Sequence, residues 1–171
     1  MRVIVLGTGR CGTTTFTQAC KHITNYTSSH EKHWFDIPDR HIEANPYLTW
    51  HVGCWLPKAY PDHRNLKFVE LVRNKDDVVN SWARRGEGHG AGVFKKLTMP
   101  KHNMKHSSSV CYDTMRALIQ HHIVESTASW GFMRLQLETI QTQWQGFWRW
   151  IEAEGDFDAS LLEWGKKYNA S

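Results

Sequence analysis

The apolar pattern begins at once, with Val3-Ile4-Val5-Leu6, four consecutive apolar and mostly β-branched residues. Such a run predicts a strand buried on both faces in a parallel sheet. Gly7, Gly9 and Gly12 break it, three threonines follow, and Phe16, Ala19, Cys20 and Ile23 then recur at i, i+3, i+4 and i+7, one face of a helix. Polar Thr24 to Ser29 leads into His30-Glu31-Lys32-His33, and Asp36 to Asn45 predicts a short helix with Pro38 in its first turn, stopped before Pro46. Tyr47 to Val52 predicts a second strand with His51 at its carboxyl end and Gly53 as its breaker; Trp55 to Tyr60 predicts a turn or short helix closed by Pro61.

The second half repeats the alternation. Lys67 to Val72 is another apolar run; Asn74 can cap the next helix, Asp76 and Asp77 suit its first turn, and Val78, Val79 and Trp82 form its inward face. Gly86 to His106, rich in glycine, lysine and histidine, reads as a long mobile loop. Ser107 to Ser129 holds a helix capped by Ser108 or Ser109, with Cys111, Met115, Leu118, Ile119 and His122 on one face. Met133, Leu135 and Leu137 alternate with polar residues as in a half-buried strand, and Thr139 caps a helix striped by Ile140, Trp144, Phe147, Trp148 and Ile151. Glu154-Gly155-Asp156 stops that helix, and Asp158 to Tyr168 forms a last short one ending in Lys166-Lys167. A strand, a glycine loop and a helix start, followed by further strands alternating with helices, predict an α/β fold, P-loop NTPase-like and three-layered, with a small, mainly parallel sheet.

Composition narrows the functional classes. The 171 residues suit one well-cored domain, 1–171, and 40% hydrophobic content with nine tryptophans argues a folded globule. The formal charge of +4 suits a small polyanion such as a nucleotide and is too weak to argue for duplex DNA. Cys11, Cys20, Cys54 and Cys111 show no C-x-x-C spacing, which predicts reduced thiols and no zinc site. A strand starting at residue 2 or 3 leaves no room for a signal peptide, and no apolar run reaches bilayer length. The expectation is a soluble, cytoplasmic protein with neither a membrane nor a nucleic acid as partner.

The chemistry concentrates at Gly7-Thr8-Gly9-Arg10-Cys11-Gly12-Thr13-Thr14. A strand, a glycine loop and a helix start gather backbone N–H groups and the positive helix end on an anion. Gly7 and Gly12 have the separation of a nucleotide-hydrolysing P-loop, but Thr13 stands where that motif has its lysine, and the positive charge lies inside the loop at Arg10. Arg10-Cys11-Gly12-Thr13-Thr14 resembles the 5′-phosphosulfate loop of sulfotransferases, with Cys11 in place of the usual serine. Arg73 at a strand end and Ser81 eight residues later resemble the pair with which that family binds the 3′-phosphate. Thr49-Trp50-His51-Val52 is similar to the run that carries the catalytic histidine of its cytosolic members, and Glu31 stands near where other members have a glutamate base. Leu137-Glu138 resembles part of a later strand–helix element, with leucine replacing its tyrosine. The family's C-terminal glycine- and lysine-rich loop is not found, although Lys166 and Lys167 supply charge there.

The resemblance implies transfer of a sulfuryl group from 3′-phosphoadenosine 5′-phosphosulfate (PAPS) to a hydroxyl or amine of a small-molecule or glycan acceptor. The product would be adenosine 3′,5′-bisphosphate (PAP), with no metal required. Gly9, Arg10, Cys11, Gly12, Thr13, Thr14, Arg73 and Ser81 would bind the donor; Arg10 would also serve catalysis, with His51 or Glu31 as base. Two alternatives stay open: a small P-loop kinase or NTPase, and a non-catalytic nucleotide-binding relative. Acceptor identity and oligomeric state are not legible.

Overall fold

The computed structural model describes residues 1–33, 36–50, 66–85, 104–121 and 131–166. Five strands form one sheet: β1 (Arg2–Gly7), β2 (Thr27–His30), β3 (His41–Ala44), β4 (Leu66–Val72) and β5 (Phe132–Gln136). Their spatial order is β2-β3-β1-β4-β5, and all four pairings are parallel. The apolar runs at β1 and β4 take the buried centre that their composition requires, while the polar Thr-Ser-Ser-His sequence of β2 takes an edge. The helices are α1 (Thr13–Cys20), α2 (Lys75–Arg85), α3 (Met104–Ile119), α4 (Ile140–Ile151) and α5 (Phe157–Leu162). None of the helices among the described residues is long and apolar enough to cross a membrane.

Alternation along the strands divides the core between the two faces of the sheet. Val3, Val5, Ile42, Ala44, Val69, Leu71 and Leu135 pack on one face with Phe16 of α1 and the α4 stripe. There Phe16 meets the rings of Trp144, Phe147 and Trp164 edge-on, at centroid distances of 5.2, 5.2 and 6.0 Å. The Trp144 indole donates to Ser160 Oγ (2.9 Å), which donates to the Ala19 carbonyl (2.8 Å), so one buried hydroxyl ties α4 and α5 to the end of α1. Ile4, Leu6, Leu66 and Phe68 pack on the opposite face with Leu48 and Ile119, and a third cluster joins α2 to α3 through Val78, Val79, Trp82, Cys111, Tyr112 and Met115.

Three predicted elements are corrected. The helix expected over Asp36 to Asn45 is instead strand β3 at His41–Ala44, whose period-two pattern puts Ile42 and Ala44 on one face and His41 and Glu43 on the other. The strand expected over Tyr47 to Val52 is a 3₁₀ helix at Pro46–Trp50; His51 lies outside the described residues. α3 begins at Met104, so Ser108 and Ser109 sit inside it and cap nothing, and 104–106 belong to a helix and not to the predicted loop. The remainder of that loop, 86–103, and Lys167 lie outside the described residues. At Thr139 the hydroxyl makes no cap and accepts from the Gln143 amide. Asn74 does cap α2, accepting from the N–H groups of Asp76 (2.9 Å) and Asp77 (3.4 Å).

Candidate functional site

The chain leaves β1 for β2 and β3 on one side, then crosses to β4 on the other, so the carboxyl end of β1 is a topological switch point. Residues 8–12 occupy that end. Gly9 (φ 77°), Arg10 (φ 55°) and Gly12 (φ 93°) all have left-handed backbones, and Gly12 is the N-cap of α1 without any side-chain cap. The first turn of a helix has N–H groups with no intrahelical acceptor, and here they open at the switch point.

The loop is held from below. Cys11 is fully buried, and a Cβ added at Gly7 would lie 2.4 Å from its Sγ and 2.9 Å from the Leu71 carbonyl oxygen. Burial pushes the Cys11 thiol up to about 11, against smaller opposing effects of backbone hydrogen bonds and Arg73. It is a packing group under the loop. Thr49 Oγ1 donates to the Gly7 carbonyl (3.2 Å), and Trp82 lies beneath Gly9. Leu137, at the position where the resemblance expects a tyrosine, lies over Gly12.

Arg10 joins the two halves of the predicted site. Its Nε donates to Ser81 Oγ (3.1 Å), and its carbonyl accepts from Arg73 Nη1 (3.1 Å). Arg73 also faces Asp77 at 3.7 Å, and its own carbonyl accepts from the Tyr112 hydroxyl (3.0 Å). Thus Arg10, Arg73 and Ser81, from three separate elements, meet at one corner; in it Ser81 bonds to Arg10. Glu138 Oε1 accepts from Asn74 N–H (2.7 Å), pinning the turn that follows Arg73.

On the other flank, Thr13 Oγ1 and His30 Nε2 share a hydrogen bond of 2.9 Å, and Glu31 Oε1 stands 3.6 Å from the same nitrogen. Glu31 has a positive φ (55°) just beyond β2, and its N–H donates to the Ala44 carbonyl (3.1 Å). The structure therefore brings Glu31 to the loop through His30, a residue that sequence reasoning did not assign to the site. The signal for it was positional: a histidine ending a strand. The polar composition of β2 hid that strand. Chemically, the corner offers two guanidinium groups, two hydroxyls and a helix start to an anion, with an imidazole and a carboxylate alongside. No family model matches the chain, and no curated protein matches it.

Proposed function

We propose that the chain is a PAPS-dependent sulfotransferase with the P-loop-like form of α/β fold. The observation that carries the reading is the convergence of Arg10, Arg73 and Ser81 beside the start of α1. A donor bearing phosphate on both its 5′ and 3′ sides needs two neighbouring anion sites, and a guanidinium fork with a hydroxyl suits the second. Gly9, Gly12, Thr13 and Thr14 would hold the 5′-phosphate through backbone and hydroxyl donors, and Arg73 with Ser81 the 3′-phosphate. Arg10 would stabilise charge as it develops between 5′-phosphate and sulfuryl group.

Bound there, PAPS supplies a sulfuryl group to an acceptor hydroxyl or amine. The chain's task is to orient the reactants and take the acceptor's proton. His30, backed by Glu31, stands at the loop for that role; His51 is the other candidate base. The kinase reading has less support, because Thr13 stands where the P-loop has its lysine, and the β4 carboxylate Glu70 is engaged by Arg116 and Arg134.

Calorimetry with adenosine 3′,5′-bisphosphate against ATP–Mg²⁺ tests this. The bisphosphate should bind more tightly, and Arg73→Ala should weaken it about tenfold or more, the loss of a charged hydrogen bond. Tighter ATP–Mg²⁺ binding overturns the proposal. In a radiolabelled sulfate-transfer screen over sugars, phenols and peptides, His30→Ala and Glu31→Ala should each lower kcat, by about 10²–10⁴ for the residue that is the base. His51→Ala run in parallel identifies the base if neither slows transfer, and bisphosphate binding without any transfer supports the non-catalytic alternative.

A further inference from the structure

Two carboxylates are fully buried on the same face of the sheet, and they are treated differently. Glu70 has two arginines. Glu43, also fully buried, has none: among the described residues no lysine or arginine pairs with it. Its Oε2 accepts from Ser29 Oγ and stands 3.3 Å from His41 Nε2, and its Oε1 accepts from Lys32 N–H at 2.8 Å. An interior carboxylate without a cationic partner is costly. Among the described residues, what surrounds this carboxylate is a hydroxyl, backbone N–H groups and two imidazoles.

We propose that His33, His41 and Glu43 bind a divalent transition-metal ion of the zinc class. One ring nitrogen of each histidine and one carboxylate oxygen all lie within 4.8 Å of one another. The 3.3 Å between His41 Nε2 and Glu43 Oε2 matches the edge of a tetrahedral zinc site, about 3.3–3.4 Å for ordinary ligand distances. Both ligands have the outer support that such sites use: His41 Nδ1 bonds Thr27 Oγ1 at 2.6 Å, and the second Glu43 oxygen is held by Lys32 N–H. In the required tautomer Nδ1–H donates to Thr27 and Nε2 presents its lone pair. His33, with its side chain 18% exposed, its Nδ1 3.7 Å from Asp36 Oδ1 and its ring 4.9 Å from that of His41, would be the third ligand. Ser29 Oγ, 2.8 Å from His41 Nε2, or a water would complete four ligands. The ion would neutralise Glu43 and clamp the turn after His30 and Glu31.

The full chain, stripped with chelator, is titrated with Co²⁺ alone and then with Zn²⁺. The expected result is one equivalent of Co²⁺ bound with the intense visible bands of a four-coordinate site, displaced by Zn²⁺, which also raises the thermal midpoint. His33→Ala should abolish the bands and the midpoint shift, while His121→Ala, just past α3, leaves both intact. Thr27→Val touches no ligand atom and should weaken binding about 10–100-fold. Absence of saturable binding, or bands that survive His33→Ala, overturns the proposal.

Discussion

Gly7 and Cys11 show how a single contact shapes the loop. The chain must fold back so closely that a Cβ at residue 7 would collide with the Cys11 sulfur and approach the Leu71 carbonyl, so glycine is required by space alone. Cys11 in turn fills the hollow under the loop, and at about 11 its thiol stays protonated and unreactive near neutral pH. Gly7→Ala should therefore destabilise the fold by about 1–3 kcal/mol, the usual cost of overpacking. Combined with Cys11→Ala the loss should be less than the sum of the two, because the sulfur is one of the two obstacles; the Leu71 carbonyl remains as the other. Urea midpoints of the two single variants and the double variant measure this, and strict additivity would show that the sulfur is not the obstacle.

At the scale of elements, the loop is only as well placed as the strand ends and turns around it. Glu138, at the turn after β5, fastens the turn after β4 by accepting from Asn74 N–H. Burial tends to raise its carboxyl. Hydrogen bonds from the Asn74 and Glu138 N–H groups and the Gln136 side chain, with the charge of Arg73, more than offset this and hold it below its ordinary value. A lowered carboxyl stabilises the fold above the ordinary carboxylate pKa, about 4.3, and ceases to as the pH falls through the lowered one. Urea midpoints of the native chain and Glu138→Gln should thus differ at neutral pH and converge in acid; a gap independent of pH would assign the effect to packing. Much of this framework was legible. The apolar runs gave β1 and β4, Asn74 with its two aspartates gave the start of α2, and the α4 stripe is buried as its spacing predicts. What failed was the edge of the sheet. β2 is Thr-Ser-Ser-His, whose hydroxyls bond Thr17, His41 and Glu43 and so need no apolar residue. β3 is four residues with a histidine and a glutamate on one face, and Pro38 read as a helix start. Arg10, Arg73 and Ser81, which meet at one corner, were legible as candidates because binding an anion calls for those residue types. His30 was not, because its role comes from a strand that polar residues concealed.

Across the whole molecule, the sheet is locked to α3 by a charge and not only by apolar packing. Glu70 of β4 is ion-paired with Arg134 of the neighbouring strand β5 (2.7 Å) and with Arg116 of α3. Burial, then the charge of Arg134, pushes the Arg116 pKa down, the cost of holding that cation inside. Replacing Glu70 alone strands Arg116, whereas Arg134, nearly half exposed, can turn to water. Glu70→Leu should therefore cost about 3–5 kcal/mol, while Glu70→Leu with Arg116→Leu should recover most of it, since apolar groups can replace a buried pair at little loss. Equilibrium unfolding of the single and double variants checks this; a double variant no better than Glu70→Leu would mean that the carboxylate does more than balance Arg116. The comparison also separates the two buried acids. Glu70 has its counter-charges built into the chain, so its contribution should be indifferent to chelator. Glu43 has no lysine or arginine partner among the described residues, and on the metal proposal a chelator-sensitive midpoint should persist when Glu70 and Arg116 are replaced and vanish in His33→Ala.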